Sequence, residues 1–559
     1  MTARVFLARA LALVLGALLF GCSPSSLEEG DSQTNWLEAC RDDSQCAGTK
    51  GTRCLCGVCT RSCTAPATCD NAKQGECVPG SDNGVIIQCG GSPPPAPGLC
   101  LPRCGVDKAC SPSQACIAGI CSPLPASSVD VSVDPETHHQ ELVGFGASVA
   151  YGEGQITDHP DQAELYRTIF ADLGLDVLRF RNRYGHSLDD DLTTAGELVA
   201  AGNSTLGRPL GVFLSSWSPP AALKANGALL CSGNVTTCTL AKTPAGVFDY
   251  AGLADHWLAS LAAYAKVGLV PDYVGIQNNP NWLPSSAETL EACRFLPAEG
   301  TVSVPSGATT IRVTYPGLAE AQTATLAAFS TLTKRPKLLA PETSDFDSVA
   351  DYLPILDHSK TDALAHQLYG VNPAAVDLDA LAAMGRLVSQ DGRPVFITEM
   401  QADGFGTALM LHYATVVEGA SAYLQAALTG PVSGPLANTQ ALLGIDLARF
   451  KIQDPYHSMR HFAAHTDPGW TRVEASTAGS GLLVSAWLSP SGQDLTLVLI
   501  NPRAIELGAQ LKLPGVWSTS QVTRSVFSGI ERWYSLGALP AQGVLRMPPE
   551  SVVTVALSR

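Results

Sequence analysis

The segments of this chain best suited to chemistry are short and lie far apart. Pro394-Val395-Phe396-Ile397-Thr398-Glu399-Met400 is an apolar, strand-like run that ends in a carboxylate. A carboxylate at the mouth of a buried strand can attack an electrophilic carbon or move a proton. Val274-Gly275-Ile276-Gln277-Asn278-Asn279-Pro280-Asn281-Trp282 ends a second run in amides. An amide donates hydrogen bonds but transfers no proton near neutral pH. Ser216-Trp217-Ser218-Pro219-Pro220 supplies a stacking ring, and Ala365-His366-Gln367-Leu368-Tyr369-Gly370 supplies a histidine and a tyrosine. Arg179 closes another run, and Glu342 follows Ala340-Pro341. Singly, each has a structural explanation: Glu399 as a hydrogen-bond partner, Trp217 as core, His366 as a satisfied histidine, Arg179 as a surface charge. In register with successive strand ends, they point together to one site.

The elements that must position them begin at Val129, where apolar runs alternate with helical patterns in the manner of βα units. The runs end at Phe145, Phe180, Leu214, Ile276, Leu339, Leu368, Ile397 and Leu424, and helical stretches such as Asp255 to Val267 and Ala319 to Thr331 lie between them. Eight such strands predict a (β/α)₈ barrel, whose site lies at the C-terminal ends of the strands. After about residue 465 the helical patterns stop, and Leu482 to Leu488, Leu495 to Ile500 and Ser551 to Ala556 predict a small antiparallel β domain. The strand-like Val129 to Val133 precedes the barrel.

The first 121 residues have a different texture. Arg4 and Arg9 precede an apolar stretch from Ala10 to Phe20, the pattern of an export signal and too short to span a bilayer comfortably. It closes in Leu19-Phe20-Gly21-Cys22, which resembles a bacterial lipobox and implies cleavage before Cys22 and its lipidation. Of 18 cysteines, fourteen lie between Cys40 and Cys121, an even number suited to disulfides. The spacing of Cys40, Cys46 and Cys54 repeats in Cys63, Cys69 and Cys77, and Cys104, Cys110, Cys116 and Cys121 form a looser third unit. Cys54, Cys56 and Cys59 keep zinc as an alternative, although no histidine precedes His138. The formal charge of −16 disfavours nucleic acid and anionic membranes as partners and is compatible with a neutral polymer. The expected divisions are a lipoprotein signal over 1–21, a tether over 22–39, the cysteine-rich module over 40–121 and a linker over 122–128. A first sandwich strand or strands over 129–143, the barrel over 144–464 and the rest of a β-sandwich over 465–559 complete the chain.

Residues 129 to 558 resemble glycoside hydrolase family 30, a set of retaining β-glycosidases acting on xylans and other β-glycans. The resemblance rests on Gly144-Phe145-Gly146-Ala147, Trp217-Ser218-Pro219-Pro220, Gln277-Asn278-Asn279-Pro280, Ala340-Pro341-Glu342, His366-Gln367-Leu368-Tyr369-Gly370 and Thr398-Glu399. It implies a (β/α)₈ barrel with an attached antiparallel β-sandwich built from both ends of the catalytic region. It also implies that Glu399 is the nucleophile, that Arg179 keeps it ionised, and that Asn278 contacts the sugar's 2-hydroxyl. Trp217 fits a stacking wall, Trp282 joins the substrate-binding set, and His366 with Tyr369 shape the pocket or orient Glu399.

Two departures qualify the resemblance. The family's general-acid glutamate is replaced by Asn279, although glycoside hydrolysis ordinarily uses two carboxyl groups. Tyr423-Leu424-Gln425-Ala426 lacks the tryptophan the family often places on strand eight, and Thr429 to Asp446 has no arginine or lysine to anchor a glucuronate. Glu342, Asp345 and Asp403 are the candidates for a substitute acid. Cys231 and Cys238 bracket a loop after strand three and are expected to form a disulfide. Cys293 is left over, either buried and free or paired with the cysteine-rich module. The expectation is an exported lipoprotein of the bacterial cell envelope, acting on a β-linked glycan without metal or cofactor and with impaired hydrolysis. The alternatives are a non-catalytic glycan-binding lipoprotein and a surface adhesion or assembly protein working through the cysteine-rich module.

Overall fold

The computed structural model describes residues 128–559 apart from 187–190, 307, 391, 434–436 and 480. Before residue 128 it describes residues 40 and 69 and the segments 43–46, 52–55, 58–64, 75–79, 98–102, 114–117 and 120–123. The signal, Cys22 and the tether lie outside the described residues.

Eight parallel strands close into a barrel. In chain order they are Gly144–Ser148, Val177–Arg181, Gly211–Ser215, Tyr273–Gly275, Lys337–Thr343, Ala363–Gln367, Val395–Met400 and Ala422–Gln425, hereafter barrel strands one to eight. Each pairs with its sequence neighbours, and strand eight closes on strand one. Alternation along the strands sorts the side chains. Val177, Phe213, Tyr273, Leu339, Ala363, Ala365, Phe396, Ala422 and Leu424 fill the interior. Leu178, Phe180, Leu214, Val274 and Ile397 face the helices. One of these helices, Tyr250–Lys266, shows why they form. Asp249 caps it by accepting from the Gly252 N–H, and Leu253, Trp257, Leu261 and Tyr264 put a buried stripe on one face.

Nine further strands form one sheet beside the barrel, and Ser128–Glu141 contributes to it alongside Thr471–Thr477. Residues from both ends of this sheet, among them Leu536 and Leu545, share one core cluster, so it folds over on itself into two layers. The sheet is not wholly antiparallel as expected. Ser128–Glu141 runs parallel to Leu507–Lys512, because a strand entering from before the barrel meets one returning after it in the same direction.

The cysteine-rich region is built from hairpins. In Arg53–Leu55 with Val58–Thr60, Cys54 faces Cys59; in Gly75–Pro79 with Gly98–Pro102, Cys77 faces Cys100. These facing cysteines are not bonded to each other. Cys54 bonds Cys40, Cys59 bonds Cys46, Cys77 bonds Cys63 and Cys100 bonds Cys69, so both units link their first cysteine to their third and their second to their fifth. A third hairpin, Gln114–Ile117 with Ile120–Pro123, places Cys116 opposite Cys121, which is also disulfide-bonded. Cys56, Cys89, Cys104 and Cys110 lie outside the described residues. A disulfide sulfur carries no thiolate to offer zinc, and the covalent links stand in for a core that so small a module cannot build.

Candidate active site

Above the apolar layer of the barrel, the inward positions turn polar. Arg179 and Ser215 continue the alternation of Val177 and Phe213 one step towards the mouth, and Arg179 is wholly buried. Its guanidinium lies 4.2 Å from the centre of the Trp217 ring. It donates from Nη1 to Glu399 Oε1 and from Nη2 to Glu342 and to Asn278 Oδ1, the last at 2.8 Å. Burial alone would lower the arginine's pKa, but the two carboxylates outweigh burial and raise it, so the cation is held.

Simple alternation would not bring either glutamate inward. Phe396 faces the interior and Ile397 the helices, which would send residue 399 outwards. A bulge on strand seven intervenes, where two residues oppose one on strand six, so Gln367 pairs with Glu399 and the carboxylate swings into the mouth. Strand five bulges between Pro341 and Thr343, and Glu342 takes a left-handed φ of 61° there. Tyr369 donates to Glu399 Oε2 at 2.8 Å. Its phenol, desolvated at the inner end and facing Glu399, is held above its ordinary pKa and stays a neutral donor.

The cavity that these groups enter has a volume of about 590 Å³. Its walls are Tyr151, Trp217, Trp282 and Tyr369, with Asn278, Asn279, Leu290, Glu291, Ala292, Ser344, Asp345, Gly370 and Glu399 between them. Asn278 Oδ1 also accepts from Gln367 Nε2 at 2.6 Å, so its amide nitrogen is the group it can offer a ligand. Asn279 has φ 50°, its N–H donates to the Glu342 carbonyl, and its Oδ1 is buried without a partner.

The structure gathers Glu399, Asn278, Asn279, Trp217, Trp282 and Tyr369 at the cavity, with Arg179 directly beneath. His366 is not there. It is an outward position of strand six, wholly buried, with Nε2 against Glu418 at 2.5 Å and Nδ1 against its neighbour's carbonyl. Burial opposes its charge, but Glu418 outweighs burial and raises its pKa, which makes the pair a buried bond between barrel and helix layer. The substitute acids also scatter. Glu342 is sealed under the rim beside Arg179 and Ser215, with burial raising its pKa. Asp403 caps the helix Gly404–His412 through the Gly406 N–H. Asp345 lines the cavity; burial would raise its pKa, but hydrogen bonds from Ser348, Ser344 and Asn281 prevail and lower it, which suits a base better than an acid.

Four contributors were not expected. Ser215 and Gln367 follow from alternation on strands three and six, a signal the sequence does hold. Tyr151 covers Arg181 at 4.1 Å from ring centre to guanidinium. Glu291 accepts from Arg181 Nη1 at 2.6 Å and reaches the cavity on a two-residue strand, Leu290–Glu291, paired with Leu230–Cys231. No sequence pattern marks either of these loop residues. Cys231 and Cys238 form the expected disulfide behind this wall, and Cys293 is buried and free.

No family model matches the chain, and no curated protein matches it in sequence. Solved structures do match. The catalytic domain of xylanase C of glycoside hydrolase family 30 from Talaromyces cellulolyticus superposes with a TM-score of 0.60 at 16% identity, over 77% of this chain and 100% of that one. A family 30 subfamily 8 xylanase from Clostridium acetobutylicum gives 0.55 at 19%, over 77% and 100%. An endo-β1,6-glucanase gives 0.55 at 13%, over 78% and 94%. The barrel and its attached sheet have the fold of family 30 glycoside hydrolases. At these identities the likeness extends to the fold alone.

Proposed function

We propose that the protein is a retaining β-glycosidase with an impaired proton-transfer step, acting on a β-linked glycan. The observation that carries this reading is Glu399, turned into the barrel mouth by a bulge and gripped at one oxygen by Arg179 and at the other by Tyr369. A carboxylate fixed at both oxygens, beside an aromatic-walled cavity, is placed to attack an anomeric carbon. A bond forms from a Glu399 oxygen to that carbon as the glycosidic bond breaks, and the leaving oxygen takes the electron pair. Water then displaces Glu399 from the anomeric carbon, giving up a proton as it attacks. Both steps ordinarily use a second carboxyl group, first as acid and then as base, and Asn279 can serve as neither.

General acid–base assistance is typically worth about 10²–10⁴-fold. Unactivated glycan should therefore turn over slowly, whereas an aryl glycoside with an acidic phenol should glycosylate Glu399 readily. Azide needs no deprotonation and should speed release of the intermediate. Mass spectrometry of protein trapped with a fluoro-sugar should find the adduct on the peptide carrying Glu399. Hydrolysis of a natural β-glycan at ordinary glycosidase rates would show that another group supplies the proton. The aromatic cavity with an amide at position 279 favours a second reading, a glycan-binding protein, which wins if glycans bind and no glycoside labels Glu399. Export and lipidation at Cys22 are part of the proposal, supported by Leu19-Phe20-Gly21-Cys22. The intact mass of the mature protein tests them.

A further inference from the structure

A second cavity of about 300 Å³ adjoins the first and shares Asp345, Tyr369 and Gly370 with it. The carboxylates lining the two are Glu291, Asp345 and Glu399 in the first, and Asp345, Asp347 and Asp377 in the second. Among the described residues lining either cavity there is no lysine or arginine. The two nearby arginines are covered. Arg179 lies beneath Trp217 and Arg181 beneath Tyr151, each already committed to glutamate. Asp345, at the junction, takes its hydrogen bonds from neutral donors: Asn281 at 2.9 Å, Ser344 at 3.0 Å and the Ser348 N–H at 2.8 Å. No lysine or arginine pairs with it, and His366, which feels its charge, is buried and already bonded to Glu418. A cleft with acidic groups spaced along it, aromatic walls and no exposed cation attracts cations and repels carboxylates.

We propose that the glycan taken by this cleft is a β-linked polymer of amino sugars carrying protonated amino groups. The inference rests on the glycosidase reading for the site but concerns only what the site selects. A sugar ring provides the flat face for Trp217 and Trp282, and an ammonium group on the next unit meets Asp345. Further along the polymer, Asp347 and Asp377 meet later ammonium groups. Neutral xylan-like chains gain the stacking without the charge pairing, and uronate-bearing chains are repelled.

The test is calorimetric binding of a glucosamine hexamer, its fully N-acetylated counterpart, a xylose hexamer and a uronate oligomer to the full-length protein, at mildly acidic pH. The glucosamine hexamer should bind about tenfold or more tightly than either neutral oligomer, with the advantage shrinking as salt rises. Asp345→Asn should remove most of that advantage, weakening the glucosamine hexamer far more than the neutral oligomers. Neutral or uronate oligomers binding as well as the amino sugar would overturn the proposal. A preference that Asp345→Asn and Asp377→Asn leave intact would trace it to the formal charge of −16 rather than to the cleft, and would also overturn it. Failure of the glycosidase reading reads out separately. Glucosamine oligomer binding with no labelling of Glu399 by any activated glycoside leaves the selectivity standing and the catalysis refuted. Labelling by a neutral aryl glycoside without the amino-sugar preference does the reverse.

Discussion

Strand seven reaches the cavity through a bulge and strand four through a left-handed backbone turn, and the two devices suit different side chains. At strand seven the extra residue re-aims Glu399, and Arg179 and Tyr369 then fix both carboxylate oxygens. Strand four stops at Gly275, and four residues later Asn279 sits at φ 50°, tied to strand five through the Glu342 carbonyl. Asparagine enters that region more readily than glutamate does. One rim thus holds a carboxylate by both oxygens, while the other has an amide on a backbone that accepts it easily. The difference teaches that an amide at position 279 need not disturb the hold on Glu399. The two glutamates beside Arg179 form their own closed network, with no hydrogen bond to the Asn279 side chain.

Glu399→Gln is expected to have the largest effect, reducing turnover of even activated aryl glycosides to background with the fold intact. An amide keeps the shape of the carboxylate but cannot form the glycosyl ester. Circular dichroism and turnover measured together test this, and retained activity would move the nucleophile elsewhere. Asn279→Glu comes next. It should raise turnover of unactivated β-glycan by up to about 10²–10⁴-fold. The left-handed backbone should make it cost about 1–2 kcal/mol in stability. A gain in activity with no loss in melting temperature would show that the turn at position 279 imposes no preference for asparagine.

Gly275→Ala probes the link between the two rims and should have a smaller effect on turnover. A Cβ there would sit 1.9 Å from Glu342 Oε2 and 3.1 Å from Ser215 Oγ, and Ser215 and Arg179 hold that carboxylate in place. Overpacking of this kind costs about 1–3 kcal/mol. Because Arg179 bridges Glu342 and Glu399, the displacement should also slow glycosylation of Glu399 rather than only weaken binding. Unchanged kcat on an aryl glycoside would separate Glu342 from the nucleophile's support.

The contrast between the rims also marks what the sequence discloses. The eight apolar runs end within a few residues of the observed barrel strands, since burial on both faces leaves an unmistakable apolar stretch. Glu399, Arg179 and Trp217 are legible because each lies within three residues of the end of such a run. His366 is misplaced for a definite reason. Strand six keeps strict alternation, so Gln367 faces the barrel and His366 the helices, whereas strand seven breaks alternation at its bulge. No residue type announces that break. Tyr151 and Glu291 escape notice because loops bring them to the cavity, and loop paths follow from tertiary packing rather than from periodicity.

The wall after strand four offers the finest test of the comparison. Glu291 is held by the strand pair Leu230–Cys231 with Leu290–Glu291, by the Cys231–Cys238 disulfide, and by Lys224, whose Nζ donates to the Leu229 and Ala292 carbonyls. The hold of Arg179 and Tyr369 on Glu399 depends on none of these. Replacing both Cys231 and Cys238 with serine frees a short loop, an effect worth about 2–3 kcal/mol in the chain-entropy account. The wall should then loosen, with KM for an aryl glycoside rising several-fold and kcat nearly unchanged. Cys293 reports on the same wall. Burial pushes its thiol up to about 12, so alkylating reagents should miss it in the native protein and label it once the unreduced chain is unfolded. In the double-serine variant it should become reactive without unfolding if the wall has opened. A kcat that falls as far as KM rises would mean that the strand-four wall supports Glu399 after all, and the two rims would have to be treated as one unit.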